Sequence, residues 1–308
     1  MNKTSIEWVK NPDGTQGYTV NSKTGCLNHD NGLCKGGGFP CYAYRLANGR
    51  LKERYLANKN WDTRTPKDYD GYPNLDPFYP RWWPEKLEQI RRRRKPAGIF
   101  LDDMSDWMGD YWPEGWTRQE LQVIQDCPQH RIYTLTKQPQ NLPAWSPFPD
   151  SCWVGVTCTS RRMINHTLPY LMHIGAPVIY LSLEPFLAWD DFSAPVTADR
   201  FLDAQVDWVI IGACTGTKAN LWEYNHLVLN DSLKLMPWDG RWTLQPKIEW
   251  VREIVEACDK AGIPVFLKNN LKPLLLGHAE DRSLVTHYNH GESEFDGLEL
   301  FLRQELPK

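Results

Sequence analysis

Short apolar segments alternate with longer amphipathic segments over most of the chain beyond residue 95. Continuous runs of aliphatic, β-branched and aromatic residues lie at 98–101, 131–135, 152–156, 178–183, 207–212 and 264–268. Unbroken apolar runs of this length are typical of parallel strands buried on both faces. A further strand is predicted at 17–20, immediately before a cysteine-rich loop at 24–44.

Amphipathic helices are predicted between the strands, at 117–125, 161–173 and 248–261. The last is the clearest, because Val251, Ile254, Val255 and Cys258 recur at helical spacing and Gly262 follows as a stop. The alternation predicts an α/β fold, a partial or complete (β/α) TIM-like barrel of about six to seven parallel strands. We expect one domain over residues 1–308, with loop insertions at about 50–84 and 217–246.

Polar residues follow nearly every predicted strand. In a barrel of βα units, chemistry collects where the strands end and the loops begin. Such a face would offer carboxylates to an ammonium group, Lys or Arg to a carboxylate, and a glycine-lined backbone to a flat ring. The residues at these ends include Asp102, Asp103, Ser105, Asp106, Thr136, Lys137, Thr157, Cys158, Arg161, Glu184, Gly212, Cys214 and Lys268.

Three cysteines, Cys26, Cys34 and Cys41, fall within 16 residues of a glycine-rich segment. Three thiolates on one loop can hold three irons of a [4Fe–4S] cluster and leave the fourth iron open. His29 lies between the first two, so a Cys3His zinc site is the alternative metal centre. The remaining interpretation is three cysteines that share a loop and bind no metal.

Composition narrows the setting of this chemistry. The hydrophobic fraction of 41% over 308 residues supports a large core. The chain contains no run of 18 apolar residues, so we expect neither a membrane span nor a membrane partner. Eight cysteines without an export signal favour a reducing cytoplasm. The net charge of −3 gives no global basic field, although 91–95 is a run of five basic residues. That run suits the C-terminal end of a helix or a contact with phosphates.

Short motifs recur in order along nearly the whole chain, among them Thr24-Gly25-Cys26, Met104-Ser105-Asp106, Leu135-Thr136-Lys137, Leu183-Glu184-Pro185 and Ile210-Ile211-Gly212. Together they resemble the motifs of the radical S-adenosylmethionine superfamily. Within that superfamily the chain is most similar to an uncharacterised branch of phages and bacteria, named after phage gene products and a domain of unknown function.

The resemblance implies a [4Fe–4S] cluster on Cys26, Cys34 and Cys41, with S-adenosylmethionine chelating the open iron. Reductive cleavage would then give a 5′-deoxyadenosyl radical that abstracts a substrate hydrogen, with electrons from a donor such as flavodoxin or ferredoxin. The implied contacts to the methionine amino group are Ser105 and either Asp106 or Asp103. Thr157 or Arg161 would face the ribose or carboxylate, Glu184 would take a ribose hydroxyl or a substrate group, and Gly212 would pack the adenine.

The predicted catalytic residues are Glu184, Cys214 and Lys268. The branch tends to carry Gly-Gly-Glu-Ser-Gly after the sixth strand, where this chain has Gly212-Ala213-Cys214-Thr215-Gly216. The thiol that replaces the carboxylate is a candidate hydrogen donor, or a ligand of a second metal together with Cys158. A small apolar core position is the alternative interpretation for each cysteine.

The phage association suggests hypermodification or rearrangement of a DNA base such as thymidine, by a phage-encoded protein in the host cytoplasm. A free nucleotide or a small peptide is equally compatible with these residues. Two other classes stay open. One is a non-catalytic binding protein stabilised by zinc, and the other is a divalent-metal barrel hydrolase that uses Asp102, Asp103, Asp106 and Glu184.

Overall fold

Contacts between Cα atoms divide the chain into a first unit, Met1–Val156 with His173–Val178, and a second unit, Thr157–Met172 with Ile179–Lys308. The computed structural model describes residues 1–62, 69, 71–189, 192–289 and 299–307. Residues 63–68 and 70 of the expected 50–84 insertion lie outside the described residues. One domain over 1–308 stays a prediction.

The described residues of the first unit form nine strands and four α-helices, with a 3₁₀ segment at Pro139–Trp145. The strands are β1 (Asn2–Lys3), β2 (Tyr18–Val20), β3 (Lys23–Thr24), β4 (His29–Asp30), β5 (Leu33–Cys34), β6 (Arg81–Trp82), β7 (Gly98–Leu101), β8 (Arg131–Thr136) and β9 (Cys152–Thr157). The helices are α1 (Tyr42–Asn48), α2 (Lys52–Ala57), α3 (Pro84–Arg91) and α4 (Glu114–Asp126).

A parallel sheet forms the centre of the first unit. Strands β2, β7, β8 and β9 pair in that order in parallel, and β1 adds an antiparallel edge to β2. All four residues of β7 and all six of β9 are buried. This burial on both faces explains why their sequences are continuous apolar runs.

The second unit also contains parallel strands with helices between them. Its helices are α5 (Arg161–Leu171), α6 (Ala198–Asp203), α7 (Lys218–Leu227), α8 (Ile248–Ala261) and α9 (Lys272–Leu275). Its strands are β10 (Val178–Leu183), β11 (Trp208–Ile211), β12 (Cys214–Gly216), β13 (Lys234–Trp238), β14 (Arg241–Gln245), β15 (Val265–Leu267), β16 (Val285–Asn289) and β17 (Glu299–Leu302). Two 3₁₀ segments flank α9, at Asn269–Leu271 and Leu276–His278.

Strands β10, β11 and β15 pair in parallel, with Leu181 opposite Val209 and Val209 opposite Val265. The expected insertion at 217–246 contains α7 and the β13–β14 hairpin, whose second strand pairs with β12. Another hairpin, β16–β17, lies near the end of the chain.

The seven strands predicted from apolar runs are all present, each within a residue or so of its expected bounds. The prediction of an α/β fold with parallel strands is therefore confirmed, and closure into a barrel stays a prediction. No helix of the described ranges combines the length and the apolar character needed to span a membrane.

Candidate functional site

A short hairpin organises the cysteine loop. Strands β4 and β5 place His29 opposite Cys34, and the turn between them uses Asn31 and Gly32 at φ of 46° and 85°. Positive φ at both central residues is the geometry of a tight hairpin turn, which suits Asn-Gly. The Gly32 carbonyl accepts the N–H of Cys41 at 2.8 Å, so the hairpin also holds the third cysteine.

The entry to the loop depends on Gly25. Its N–H donates to the Met104 carbonyl at 3.0 Å, and the next N–H, that of Cys26, donates to the Phe78 carbonyl at 3.0 Å. Gly25 has φ of 88°, and a Cβ on it would lie 2.4 Å from the Phe78 oxygen. Only glycine fits here, because the chain runs directly against another backbone segment.

Lys137 is the cation of this site. It follows β8, and Cys34, Asp106, Cys41 and Cys26 all act on it electrostatically. Burial works against its ammonium group, but these four neighbours raise the pKa of Lys137. The glycine run packs along its stem, since a Cβ on Gly36 would lie 3.0 Å from the Lys137 Cδ.

Asp106 fixes the start of the Lys137 loop. Its carboxylate accepts the Lys137 N–H at 3.1 Å and the hydroxyl of Thr136. Burial raises the pKa of Asp106, and Lys137 and these hydrogen bonds oppose the shift. Asp106, which was predicted to contact the methionine amino group, therefore faces β8 and Lys137.

The thiols of Cys26 and Cys34 are held in their neutral form by burial, which raises the pKa of both. Lys137 opposes this shift at Cys34, and at Cys26 the Asn28 N–H, which donates to the sulfur at 3.2 Å, does so.

The donor set fits an iron–sulfur cluster chemically. Cys26 interacts electrostatically with Cys34, and Cys34 with Cys41, and Lys137 would offset the negative charge of three thiolates. Among the described residues, no three His, Cys, Asp or Glu side chains are grouped as ligands of one metal ion. The thiols therefore share a neighbourhood around a cation, and their role as ligands stays a prediction.

The other predicted residues of this strand end lie nearby in sequence and have different partners. Asn21 donates to the Asp103 carboxylate at 2.6 Å and accepts the Met104 N–H at 2.9 Å. Burial raises the pKa of Asp103, which this hydrogen bond opposes. Ser105 forms a parallel bridge with Gly25, so it borders the entry to the cysteine loop.

A set of fully buried charged side chains lies at the residues that lead into the cysteine loop. Lys23 pairs with Glu120 at 2.8 Å, and both side chains are 0% exposed. Asp102 accepts the N–H groups of Ser22 and Lys23 at 2.8 and 2.9 Å, and the Ser22 hydroxyl contacts Asp102 and Glu120. These contacts fix the residues that lead into Cys26, so Asp102 supports the backbone here.

In the second unit, Glu184 and Lys268 form an ion pair after β10 and β15. Gly212, after β11, permits this pairing, because a Cβ on it would lie 3.1 Å from the Lys268 Cδ and 3.2 Å from the Glu184 Cγ. The structure thus brings together three residues that the sequence predicted at three separate strand ends.

Cys214 belongs to the same group. Burial, with a contribution from Glu184, raises the pKa of Cys214 to about 12. Asn270 holds its segment in place, accepting the Ala213 N–H at 3.0 Å and donating to the Ala213 carbonyl at 2.9 Å. A thiol in this state is a weak nucleophile and keeps a hydrogen atom that it could donate.

Thr157 ends β9, Cys158 follows it, and Arg161 begins α5. Thr157 and Cys158 are fully buried, and the Cys158 sulfur lies 3.4 Å from the Thr167 hydroxyl. The Arg161 guanidinium donates to the Ala194 carbonyl at 3.1 Å and lies over the Trp189 ring. The roles predicted for these residues towards a cofactor stay predictions.

Sequence reasoning assigned no role to Lys137. It was visible as a polar residue after a predicted strand, in the same way as the residues that were selected.

Solved structures resembling this chain include spore photoproduct lyase in several forms. The complex with dinucleoside spore photoproduct is 12% identical, with a TM-score of 0.44 over 81% of this chain and 76% of that chain. A cysteine-to-serine mutant is 12% identical, with a TM-score of 0.46 over 87% and 80%. A double mutant with bound AdoMet and dinucleoside spore photoproduct is 13% identical, with a TM-score of 0.41 over 79% and 72%. Likeness at this level assigns neither a fold nor an activity.

No curated protein matches the chain. Residues 3–227 match the model of a family described as protein of unknown function, DUF5131. The match includes the cysteine loop, Lys137 and the strand ends as far as Cys214, and it spans well over half of the 308 residues. The chain therefore belongs to the DUF5131 family.

Proposed function

We propose that this protein is a radical S-adenosylmethionine enzyme. The observation that carries the proposal is that Cys26, Cys34 and Cys41 lie on one hairpin-organised loop and that all three interact electrostatically with the Lys137 ammonium group. The hairpin and the hydrogen bond from the Cys41 N–H to the Gly32 carbonyl hold Cys34 and Cys41 on one folded loop.

Each group has a defined task in this proposal. The three cysteines would hold a [4Fe–4S] cluster, which would supply reductive cleavage of S-adenosylmethionine and abstraction of a substrate hydrogen. Lys137 supplies a positive charge beside the thiolates, and Asp106 fixes its backbone. Asp103, Ser105, Thr157, Arg161 and Gly212 are the further cofactor contacts that we propose.

The substrate that we propose is a nucleobase, either free or within DNA, as in the hypermodification or rearrangement of thymidine. Glu184, Lys268 and Cys214 would meet it, since an ion pair beside a buried thiol offers a donor, an acceptor and a hydrogen source. A flavodoxin or ferredoxin would supply the electron, and the cytoplasm is the compartment that keeps these thiols reduced.

Anaerobic reconstitution with iron and sulfide tests the proposal. We expect about four irons per chain and an EPR signal of the reduced protein that changes when S-adenosylmethionine is added. Cys34→Ala should abolish this signal. Cys127→Ala is the matched control, because Cys127 is buried at the end of α4 in the same unit, and its loss should leave the iron content unchanged.

The proposal would be contradicted by a colourless protein, or by a cluster whose EPR signal does not change when S-adenosylmethionine is added. One observation favours a zinc site as the second candidate: the β4–β5 register sets His29 directly across from Cys34. One zinc per chain after expression, lost in His29→Ala and in Cys34→Ala alike, would establish a structural Cys3His centre instead.

A further inference from the structure

A buried carboxamide connects the β13–β14 hairpin to the strand ends of the second unit. Gln245, the last residue of β14, is 1% exposed. Its Nε2 donates to the Asn270 carbonyl at 2.8 Å and to the Thr243 hydroxyl at 2.7 Å. That hydroxyl in turn donates to the Met236 carbonyl across the hairpin at 3.0 Å. Gln245 thus attaches both strands of the hairpin to the 3₁₀ segment Asn269–Leu271.

Asn270 extends this attachment to the segment after β11. Besides the two hydrogen bonds that it forms with Ala213, its Nδ2 donates to the Thr215 hydroxyl at 3.2 Å. Cys214 lies between these two residues, at the start of β12, which pairs with β14. The segment 213–215 is therefore held by two sets of contacts, the backbone pairing with β14 and the Asn270 carboxamide, and Gln245 joins the two.

The other polar atom of Gln245 indicates that stability alone does not favour glutamine at this position. Its Oε1 is buried, and no donor among the described residues forms a hydrogen bond with it. A buried acceptor without a donor costs free energy that a nonpolar side chain of similar length would not cost. What glutamine adds here is the pair of hydrogen bonds from Nε2, one of which is the contact with Asn270.

We infer that Gln245 is a positioning residue that acts through Asn270 and fixes Cys214 in place. The Glu184–Lys268 ion pair borders the residue immediately before the segment 213–215, so the β13–β14 hairpin sets the position of a thiol beside that pair. The statement that the thiol and the ion pair meet a substrate rests on the proposed function, whereas the hydrogen bonds that place the thiol do not.

Alkylation of the metal-free protein under native conditions tests the inference. Gln245→Met keeps the length of the side chain and removes both hydrogen bonds, so the segment should open more often. We expect Cys214 to react with iodoacetamide about three- to tenfold faster, as measured by mass spectrometry. Cys258, which is buried in α8 of the same unit, should keep its rate. The midpoint of urea unfolding should hardly change, because the variant also loses the unpartnered oxygen.

Asn225→Leu is the matched control. Asn225 is a buried carboxamide in α7, and it donates to the Leu233 carbonyl at 2.9 Å and accepts the Leu233 N–H at 3.3 Å. We expect this variant to leave the Cys214 rate unchanged. An unchanged Cys214 rate in Gln245→Met would overturn the inference. Equal increases for Cys214 and Cys258 would also overturn it, because they would show a general loss of stability.

A double-mutant cycle tests the route through Asn270. Asn270→Ala should raise the Cys214 rate at least as much as Gln245→Met does, and combining the two changes should give no further increase. Effects that multiply would show that Gln245 acts by another route, and they would overturn the inference. Failure to assemble a cluster on reconstitution would overturn the proposed function alone, because the alkylation rates are measured without a metal.

Discussion

Asp102 and Glu120 place two carboxyl groups beside one lysine in a space without solvent. Lys23 neutralises Glu120 directly, at 2.8 Å, whereas Asp102 accepts hydrogen bonds from N–H and hydroxyl donors. Burial and the neighbouring Glu120 raise the pKa of Asp102 well above its usual range. Asp102 is therefore protonated in the folded chain under conditions in which it ionises in the unfolded chain.

This linkage makes stability depend on pH. Since the folded protein binds the Asp102 proton more tightly, the free energy of unfolding falls as pH rises from about 4 towards the folded-state pKa. Asp102→Asn keeps an acceptor for Ser22 and Lys23 but cannot ionise. We expect the plot of unfolding free energy against pH, measured by urea titration between about pH 5 and 8, to fall less steeply in Asp102→Asn than in the unmodified protein. Parallel plots would show that Asp102 is not protonated in the fold.

The strand end that carries Asp102, Asp103 and Asp106 shows which properties of single residues could be predicted from the sequence. Their position after a strand was predictable, and the polar strand end is where the structure has them. The side chains with which they interact were not predictable, because Asn21, Thr136 and Glu120 come from distant parts of the chain.

Among the elements, those with an uninterrupted pattern were predicted best. Helix α8 has the bounds 248–261 that its spacing indicated, because Gly262 adopts φ of 71° and ends it. Helix α4 begins three residues before its predicted start, at Glu114, where Gly115 and the preceding Pro113 obscured the first turn. Strands β4 and β5 have two residues each and no apolar period, so the hairpin that organises the cysteine loop was not predicted.

Gly25 offers a test of that loop as an element. Gly25→Ala should lower the free energy of unfolding by about 2 kcal/mol or more, because the residue would combine a left-handed φ with a Cβ pressed against the Phe78 carbonyl. Urea unfolding measures the change.

Gly14→Ala separates the two causes. Gly14 has φ of 80°, but a Cβ added to it would meet nothing within 4 Å, so only the left-handed conformation should cost stability, about 1 kcal/mol. Equal losses in the two variants would show that the close approach at Gly25 does not matter.

For the whole molecule, charge limits how DNA could bind. The net charge of −3 offers no general attraction, so binding to a polymer must be local. Within the basic run at 91–95, Arg91 already pairs with Glu88 and Asp126, and Lys95 pairs with Asp13. Arg92 and Arg94 are exposed.

If DNA is the substrate, Arg92 and Arg94 are the residues through which this run would contact phosphates. The double change Arg92→Gln with Arg94→Gln should weaken DNA binding and reduce the slope of log affinity against log salt by about 2. Arg91→Gln, the control, should change the slope less because its charge is already offset. Fluorescence anisotropy over a salt series measures both, and identical slopes would remove the run from any DNA-binding surface.

The β4–β5 hairpin has a consequence for the chain entropy of the cysteine loop. Seven residues separate Cys26 from Cys34 and six separate Cys34 from Cys41. In a flexible loop, metal binding would have to order both segments between the cysteines. Here backbone pairing of β4 with β5 already orders the segment around Cys34 without a metal. Doubling a loop adds only about 0.6 kcal/mol to its closure. Residues added to the hairpin turn would therefore lengthen the spacing between Cys26 and Cys34 at little cost in closure entropy, as long as the cross-strand pairing is kept.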